Sequence, residues 1–456
     1  MLHRRDAMLR LGQFGLGALT LPGLLRADQS QVSSPNLVVP RSGKRAKSCI
    51  LIYLWGGPPQ QDLWDMKPHS PSAMRSLFKP IATATPGIEV CEHLPNFARH
   101  TNKMAIVRSL THDSDNHEPS VYRTLTGRIN NTLAVPRNQR NRQDGPNLGS
   151  VVSTFSSPGV LPTAVTIPRP IGHSGVTYSG THAGWLGSKH DPMEIAAAAG
   201  GSTEAPTHTM ALLDDLSNTR LLARQGLLRT MNQIDRRFDQ LAAARSFDDY
   251  TSQAVRMLTS PVAQNAFQID KEAPRTRDQY GRNEWGESML LARRLVEAGV
   301  RLVTISWMTV AANGTVSNVW DNHAGTHMLT ELYCLKSLDP GFAALMDDLS
   351  DRGMLDDTLV AMYGEFGRTP LLNSNQGRDH WGRVQSAILA GGGIQGGQHY
   401  GSSDKDAAYP ASNPVSPEDM LATIYYSLGI DPNSELIDPL GRPHRVVEGT
   451  PLTALF

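Results

Sequence analysis

The chain has 456 residues, and Lys+Arg 43 against Asp+Glu 43 leaves no net charge. With a pI near 7.3, it lacks the dense positive face that bulk nucleic-acid binding needs. Three cysteines exclude a disulfide-built scaffold, and a mean hydropathy of −0.31 excludes a polytopic membrane protein. Length alone suggests about three domains, yet large α/β folds often run as one unit.

Residues 1–30 open with Arg4-Arg5, followed by a weakly apolar Gly/Ala/Leu run over Leu11–Leu25. That run is too short for a stable membrane span. The pattern predicts a twin-arginine export signal and a periplasmic or extracellular site of action. The alternative is a basic amphipathic N-terminus of a cytosolic protein. Residues 31–46 read as a Ser/Pro/basic linker, and 47–456 as one domain.

Lys47–Trp55 is a continuous apolar run, which predicts a strand buried on both faces. It breaks at Gly56-Gly57-Pro58-Pro59. A short helix is predicted at Leu94–His100, a strand at Met104–Leu110, a helix near Ser120–Leu125, another at Asn147–Phe155 and a strand at Pro162–Ile167. Helical spacing follows over His208–Ala244 and Tyr250–Leu258. Then come a helix at Glu284–Ala298, a strand at Val300–Ser306, a helix at Pro340–Arg352, and strands at Thr358–Tyr363 and Gln385–Leu389. Ser416-Pro417-Glu418-Asp419 caps a last helix that stops at Gly429. Strands alternating with helices predict an α/β fold with a mostly parallel central sheet and helices on both faces.

In such a sheet, ligands bind beyond the carboxyl ends of the strands. Asp62 and Asp65 follow the first strand. His112, Asp113, Ser114, Asp115, Asn116, His117 and Glu118 follow the second. Trp320, Asp321, Asn322, His323 and His327 follow Val300–Ser306, and Glu365, Arg368, Arg378, Asp379 and His380 follow Thr358–Tyr363. Imidazole and carboxylate from separate loops suit a divalent metal: zinc, calcium or manganese. Asp321, His323 and His380 are the expected ligands, with His327 as rival, and His323 and His327 would share a face if their segment were helical. His117 has three candidate roles: ligand, general acid or nucleophile. Ser114 and Ser120 are further candidate nucleophiles, or caps. Arg368 and Arg378 have the fork geometry to hold sulfate or phosphate oxygens. Trp320 and Trp381 are candidates for stacking on a sugar ring, or for packing. Glu365 is a candidate ligand or base.

The runs LIYLWGGPPQQDLWDMKP, THDSDNHEPSVYRTLTGR, YGRNEWGESMLLARRLVEAGVRLVTI, WDNHAGTH and GEFGRTP, with Gly377-Arg378-Asp379-His380-Trp381 beyond, are similar to an exported family called domain of unknown function fifteen-oh-one. That family resembles the alkaline phosphatase superfamily, which includes sulfatases. The resemblance implies an alkaline phosphatase-like sandwich with a one- or two-metal hydrolytic site. In sulfatases a Cys or Ser nucleophile heads a helix running on to Leu-Thr-Gly-Arg. Here Leu125-Thr126-Gly127-Arg128 is present and His117 fills the nucleophile slot, so the formylglycine route is closed. Asp62 or Asp65 stands in for a first metal-binding Asp. Glu365-Phe366 replaces an Asp-His pair, so Glu365 keeps the carboxylate and the imidazole is lost. Asp321, His323 or His327, and His380 match the Asp/His/His set. The implied function is metal-dependent hydrolysis of phosphate or sulfate esters, on small molecules or polysaccharides, with His117, Ser120, Glu365 and Arg368 as candidate catalytic residues. The alternatives are a catalytically degenerate metal- or glycan-binding protein and a surface-structural component.

Overall fold

The computed structural model describes residues 45–130, 139–173, 176–195, 220, 223, 242–310, 316–317, 320–325 and 334–456. The expected export signal, the linker up to residue 44, most of the helix expected at 208–244, and His327 lie outside the described residues. Among the described residues no helix is long and apolar enough to cross a membrane.

Eight strands form the central sheet: β1 (Ser48–Tyr53), β2 (Met104–Leu110), β3 (Ala164–Ile167), β4 (Met193–Glu194), β5 (Leu302–Ser306), β6 (Thr358–Tyr363), β7 (Gln385–Ala390) and β8 (Gln398–Tyr400). Their order across the sheet is β8-β2-β7-β6-β1-β5-β3-β4. β1 pairs parallel with both β5 and β6, β3 parallel with β4 and β5, and β8 parallel with β2. β7 alone runs antiparallel, against β6 and β2. The mostly parallel α/β sheet expected from the alternating pattern is therefore what the chain forms.

The apolar run of β1 serves two cores. Ile50 and Ile52 join one cluster, with Trp285, Leu290 and Phe342. Cys49, Leu51 and Tyr53 join the other, with Val121, Leu148, Leu421 and Tyr425. This period of two puts helices on both faces. α1 (His117–Thr126), α2 (Leu148–Thr154) and α5 (Pro417–Ser427) lie on one side, and α3 (Glu284–Glu297) and α4 (Cys334–Asp351) on the other. The Ser416/Asp419 capping box opens α5 as its sequence predicts. The described part of α4 reaches back to Cys334, ahead of the expected Pro340 start, and carries Pro340 inside. Cys334, Leu335 and Leu338 are buried, and their packing holds the turn that proline alone would disfavour.

α1 positions the first candidate side chain. Asn116 precedes it in extended conformation, Pro119 lies in its first turn, where a missing N–H costs nothing, and Gly127 ends it at φ 64. Its first residue is His117, at the carboxyl end of β2.

Candidate functional site

Four loops beyond the strand ends meet around Asp321. Its Oδ2 lies 3.2 Å from His117 Nε2. Its Oδ1 lies 2.8 Å from His380 Nε2, 3.0 Å from His323 Nε2 and 2.5 Å from Arg368 Nη2. Ligand atoms of His117, Asp321 and His380 lie within 4.8 Å of one another, the one such group among the described residues. His323 Nε2 stands 3.0 Å from His380 Nε2 at the exposed side of this group.

Each imidazole is anchored through its other nitrogen. His117 Nδ1 donates to Glu365 Oε1 at 2.7 Å, His323 Nδ1 to Asp379 Oδ1 at 2.9 Å and His380 Nδ1 to the Asp115 carbonyl at 2.9 Å. A carbonyl or carboxylate only accepts, so the proton of each neutral ring sits on Nδ1. Three Nε2 lone pairs then face one carboxylate. Such a set of acceptors is repulsive unless a cation or protons lie among them, and a histidine that binds a metal typically donates its other N–H to a carboxylate or carbonyl, as these do. The donor set therefore fits a divalent ion. Segment 321–325 is not helical, so His323 reaches the group from a loop.

The charges respond accordingly. Burial opposes a charged His117, but hydrogen bonds with Asp321 and Glu365 outweigh it and push the imidazole up to about 9. Burial would raise Asp321, yet the hydrogen bond from His117, the close approach of His380 and the Arg368 charge hold it far below the ordinary carboxylate range. Burial keeps His380 below its ordinary value. Because His117 lies above its ordinary 6.5, its contribution to stability is complete below pH 6.5 and is lost as pH rises through about 9. Metal-depleted protein will accordingly lose stability to urea between pH 6.5 and 9. A flat profile over that window would sink this assignment.

Glu365 is fully buried. The Gly56 N–H donates to both of its oxygens, at 2.8 and 3.0 Å. His112, which follows β2, donates from Nε2 to the Glu365 carbonyl at 2.5 Å and accepts from the Ser114 N–H at Nδ1. Burial holds that ring below its ordinary value, in keeping with a neutral positioning group. Phe366 packs against both His117 and His380, and Trp55 against His117. Phe366 has room because Gly57 lacks a side chain: a Cβ there would stand 2.5 Å from the Phe366 ring, at φ +80. Gly57→Ala will displace Phe366 and cost about 1–3 kcal/mol of stability in urea unfolding.

Other expected site residues serve the scaffold. Asp62 is buried, and both of its oxygens accept from Arg378, at 2.7 and 3.0 Å, so the expected metal ligand is half of an ion pair. Arg378 also donates to the carbonyls of Met74, Thr369 and Pro370. Arg368 donates to Asp321 and to the carbonyls of Gly56, Gly57, Trp320 and Arg378. Every nitrogen of both forks is committed inside the protein, so neither arginine is the anion clamp expected from sequence. Asp65 pairs with Lys67 at 2.9 Å. Ser120 is buried and donates to the Ser114 carbonyl. Ser114 accepts from the Asn116 N–H just before α1. Trp320 is fully buried against Trp307 and is a core residue. Trp381 donates to the Ala408 carbonyl and meets Tyr409 edge-on.

The anchors Asp379 and the Asp115 carbonyl had no assigned role in the sequence. The adjacency of Asp379 to His380 was the available signal for one. A backbone carbonyl offers none.

No curated protein matches the chain. Among solved structures, Ps i-CgsB is similar at 12% identity and a TM-score of 0.43, covering 90% of this chain and 76% of that one. The PsFucS1 sulfatase from Pseudoalteromonas sp. is similar at 13% and 0.37, covering 86% and 69%. A protein in the alkaline phosphatase superfamily from Vibrio parahaemolyticus is similar at 9% and 0.39, covering 89% and 74%. A family model described as "Protein of unknown function (DUF1501)" matches residues 46–456, and the chain belongs to that family.

Proposed function

We propose that this chain is an exported, metal-dependent hydrolase of phosphate or sulfate esters, with His117, Asp321 and His380 holding one divalent ion and His323 flanking it. One observation carries the reading: three imidazoles, each pinned through Nδ1, turn Nε2 onto the two oxygens of a single carboxylate. An ion bound there would lower the pKa of a coordinated water and polarise an ester oxygen. The imidazole-rich set favours zinc over manganese or calcium, which prefer oxygen ligands. Glu365 fixes the ring of His117 and its proton, Arg368 keeps Asp321 ionised, and Phe366 with Trp55 keeps water off the buried side of His117. Arg4-Arg5 supports export by the twin-arginine route.

A second reading, a catalytically degenerate metal- or glycan-binding protein, is favoured by the internal commitment of Arg368 and Arg378 and the burial of Ser120. Metal analysis of purified protein beside His380→Ala, with turnover of p-nitrophenyl phosphate and sulfate, separates the two. Bound metal and turnover, both lost in the variant, support the hydrolase. Metal without turnover supports the binding protein. No metal in the wild type, even after incubation with zinc and manganese, overturns both.

Metal uptake must displace the His117 proton. Affinity will therefore rise about tenfold per pH unit until the pH passes the His117 value. Titration against a metal buffer at three pH values measures that slope.

A further inference from the structure

Arg108 is the one charged residue of β2, in a strand otherwise built of Met, Ala, Ile, Val, Ser and Leu. Its side chain is only 15% exposed. Arg368 and Arg378, more deeply enclosed at 1% and 2%, commit every nitrogen to an acceptor. Arg108 is different: its Nε is buried and donates no hydrogen bond among the described residues. The nearest carboxylate oxygen, Asp65 Oδ1, is 3.7 Å away, beyond hydrogen-bond range.

Asp65 is already satisfied. Ser403 Oγ donates to its Oδ2, and Lys67 Nζ lies 2.9 Å from its Oδ1. One buried carboxylate thus faces two cations, Lys67 and Arg108, with side chains 22% and 15% exposed. Enclosing an unbalanced guanidinium is costly unless an anion completes it. His399 on the neighbouring strand β8 borders the same group. After burial, the Arg108 charge is the largest influence holding its imidazole below the ordinary value, with Lys67 adding to it and Asp65 opposing.

We propose that Lys67 and Arg108, with His399 at the rim, bind an oxyanion: a sulfate, phosphate or carboxylate group. An ammonium beside a planar fork whose Nε makes no hydrogen bond among the described residues is a pairing suited to such oxygens. Arg108 lies on the strand whose carboxyl end leads to His112 and His117. The oxyanion is therefore either a free ion or a second charged group on a polyanionic substrate. The site needs no metal and stands whether or not the chain hydrolyses esters.

The test is a thermal-shift titration with sodium sulfate against sodium chloride at matched ionic strength. Wild type is compared with Arg108→Gln, Lys67→Gln, Arg108→Lys and His380→Ala. We expect saturable stabilisation by sulfate in wild type and in His380→Ala. The midpoint should weaken about tenfold in Arg108→Gln and in Lys67→Gln, with partial retention in Arg108→Lys. Unfolding without sulfate shows that each variant folds. A sulfated oligosaccharide binding more tightly than sulfate, through the same two residues, assigns the site to a polymer. Equal affinity assigns it to the free ion. No saturable effect in wild type, or an unchanged midpoint in Arg108→Gln and Lys67→Gln, overturns the proposal.

Discussion

Asp321→Asn protein will retain no metal through purification. This is the largest functional effect expected of any single substitution, because all three imidazoles converge on the two oxygens of this carboxylate. Groups that only orient a metal's ligands are worth about 10–100-fold in affinity, so a central ligand must exceed that. The amide keeps the shape but loses the charge that faces Arg368, His117 and His380, and the His117 value should fall toward 6.5. Stability should suffer less than metal binding, since Arg368 keeps the carbonyls of Gly56, Gly57, Trp320 and Arg378. Elemental analysis reads metal content, and urea unfolding reads the fold. Full metal occupancy in the variant would remove the central claim about this site.

Asp62→Ala should do the reverse. Both members of the Asp62–Arg378 pair are almost fully buried, at 0% and 2% side-chain exposure. Removing the acid leaves a guanidinium enclosed without its counter-charge, a loss of about 3–5 kcal/mol. The variant should unfold at markedly lower urea concentration, while the molecules that remain folded carry as much metal as wild type. A loss below about 1 kcal/mol would show that Arg378 finds compensation in its three carbonyl partners. A loss of metal at unchanged stability would return Asp62 to the site.

These opposite outcomes mark what was legible in the sequence. Strands such as Thr358–Tyr363 and helices such as Pro417–Ser427 announce themselves through an unbroken apolar run and a Ser/Asp cap, both local signals. The convergence of Asp321, His323 and His380 was legible too, because ligand-type residues followed strands that one sheet must gather. Asp62 was not. A carboxylate after a strand looks the same whether it faces a metal or an arginine, and this partner lies 316 residues away. His117 was visible as a strand-end imidazole. Its place beside Asp321 depends on the start of α1 and on Glu365, positions that spacing along the chain does not encode.

The reversed strand β7 has a consequence for how this chain can diverge. Parallel neighbours must return to the far edge of the sheet before starting again, but the stretch from β6 to β7 leaves and re-enters on the ligand side. Glu365, Arg368, Asp379 and His380 all ride on that one excursion. Residues 364–384 therefore change as a unit with what they grip: Asp62 holds Arg378, Gly56 holds Glu365, and Arg368 holds Asp321. A carboxylate anchor, an arginine strut and an imidazole share one segment, so divergence there must be matched after β1 and at Asp321.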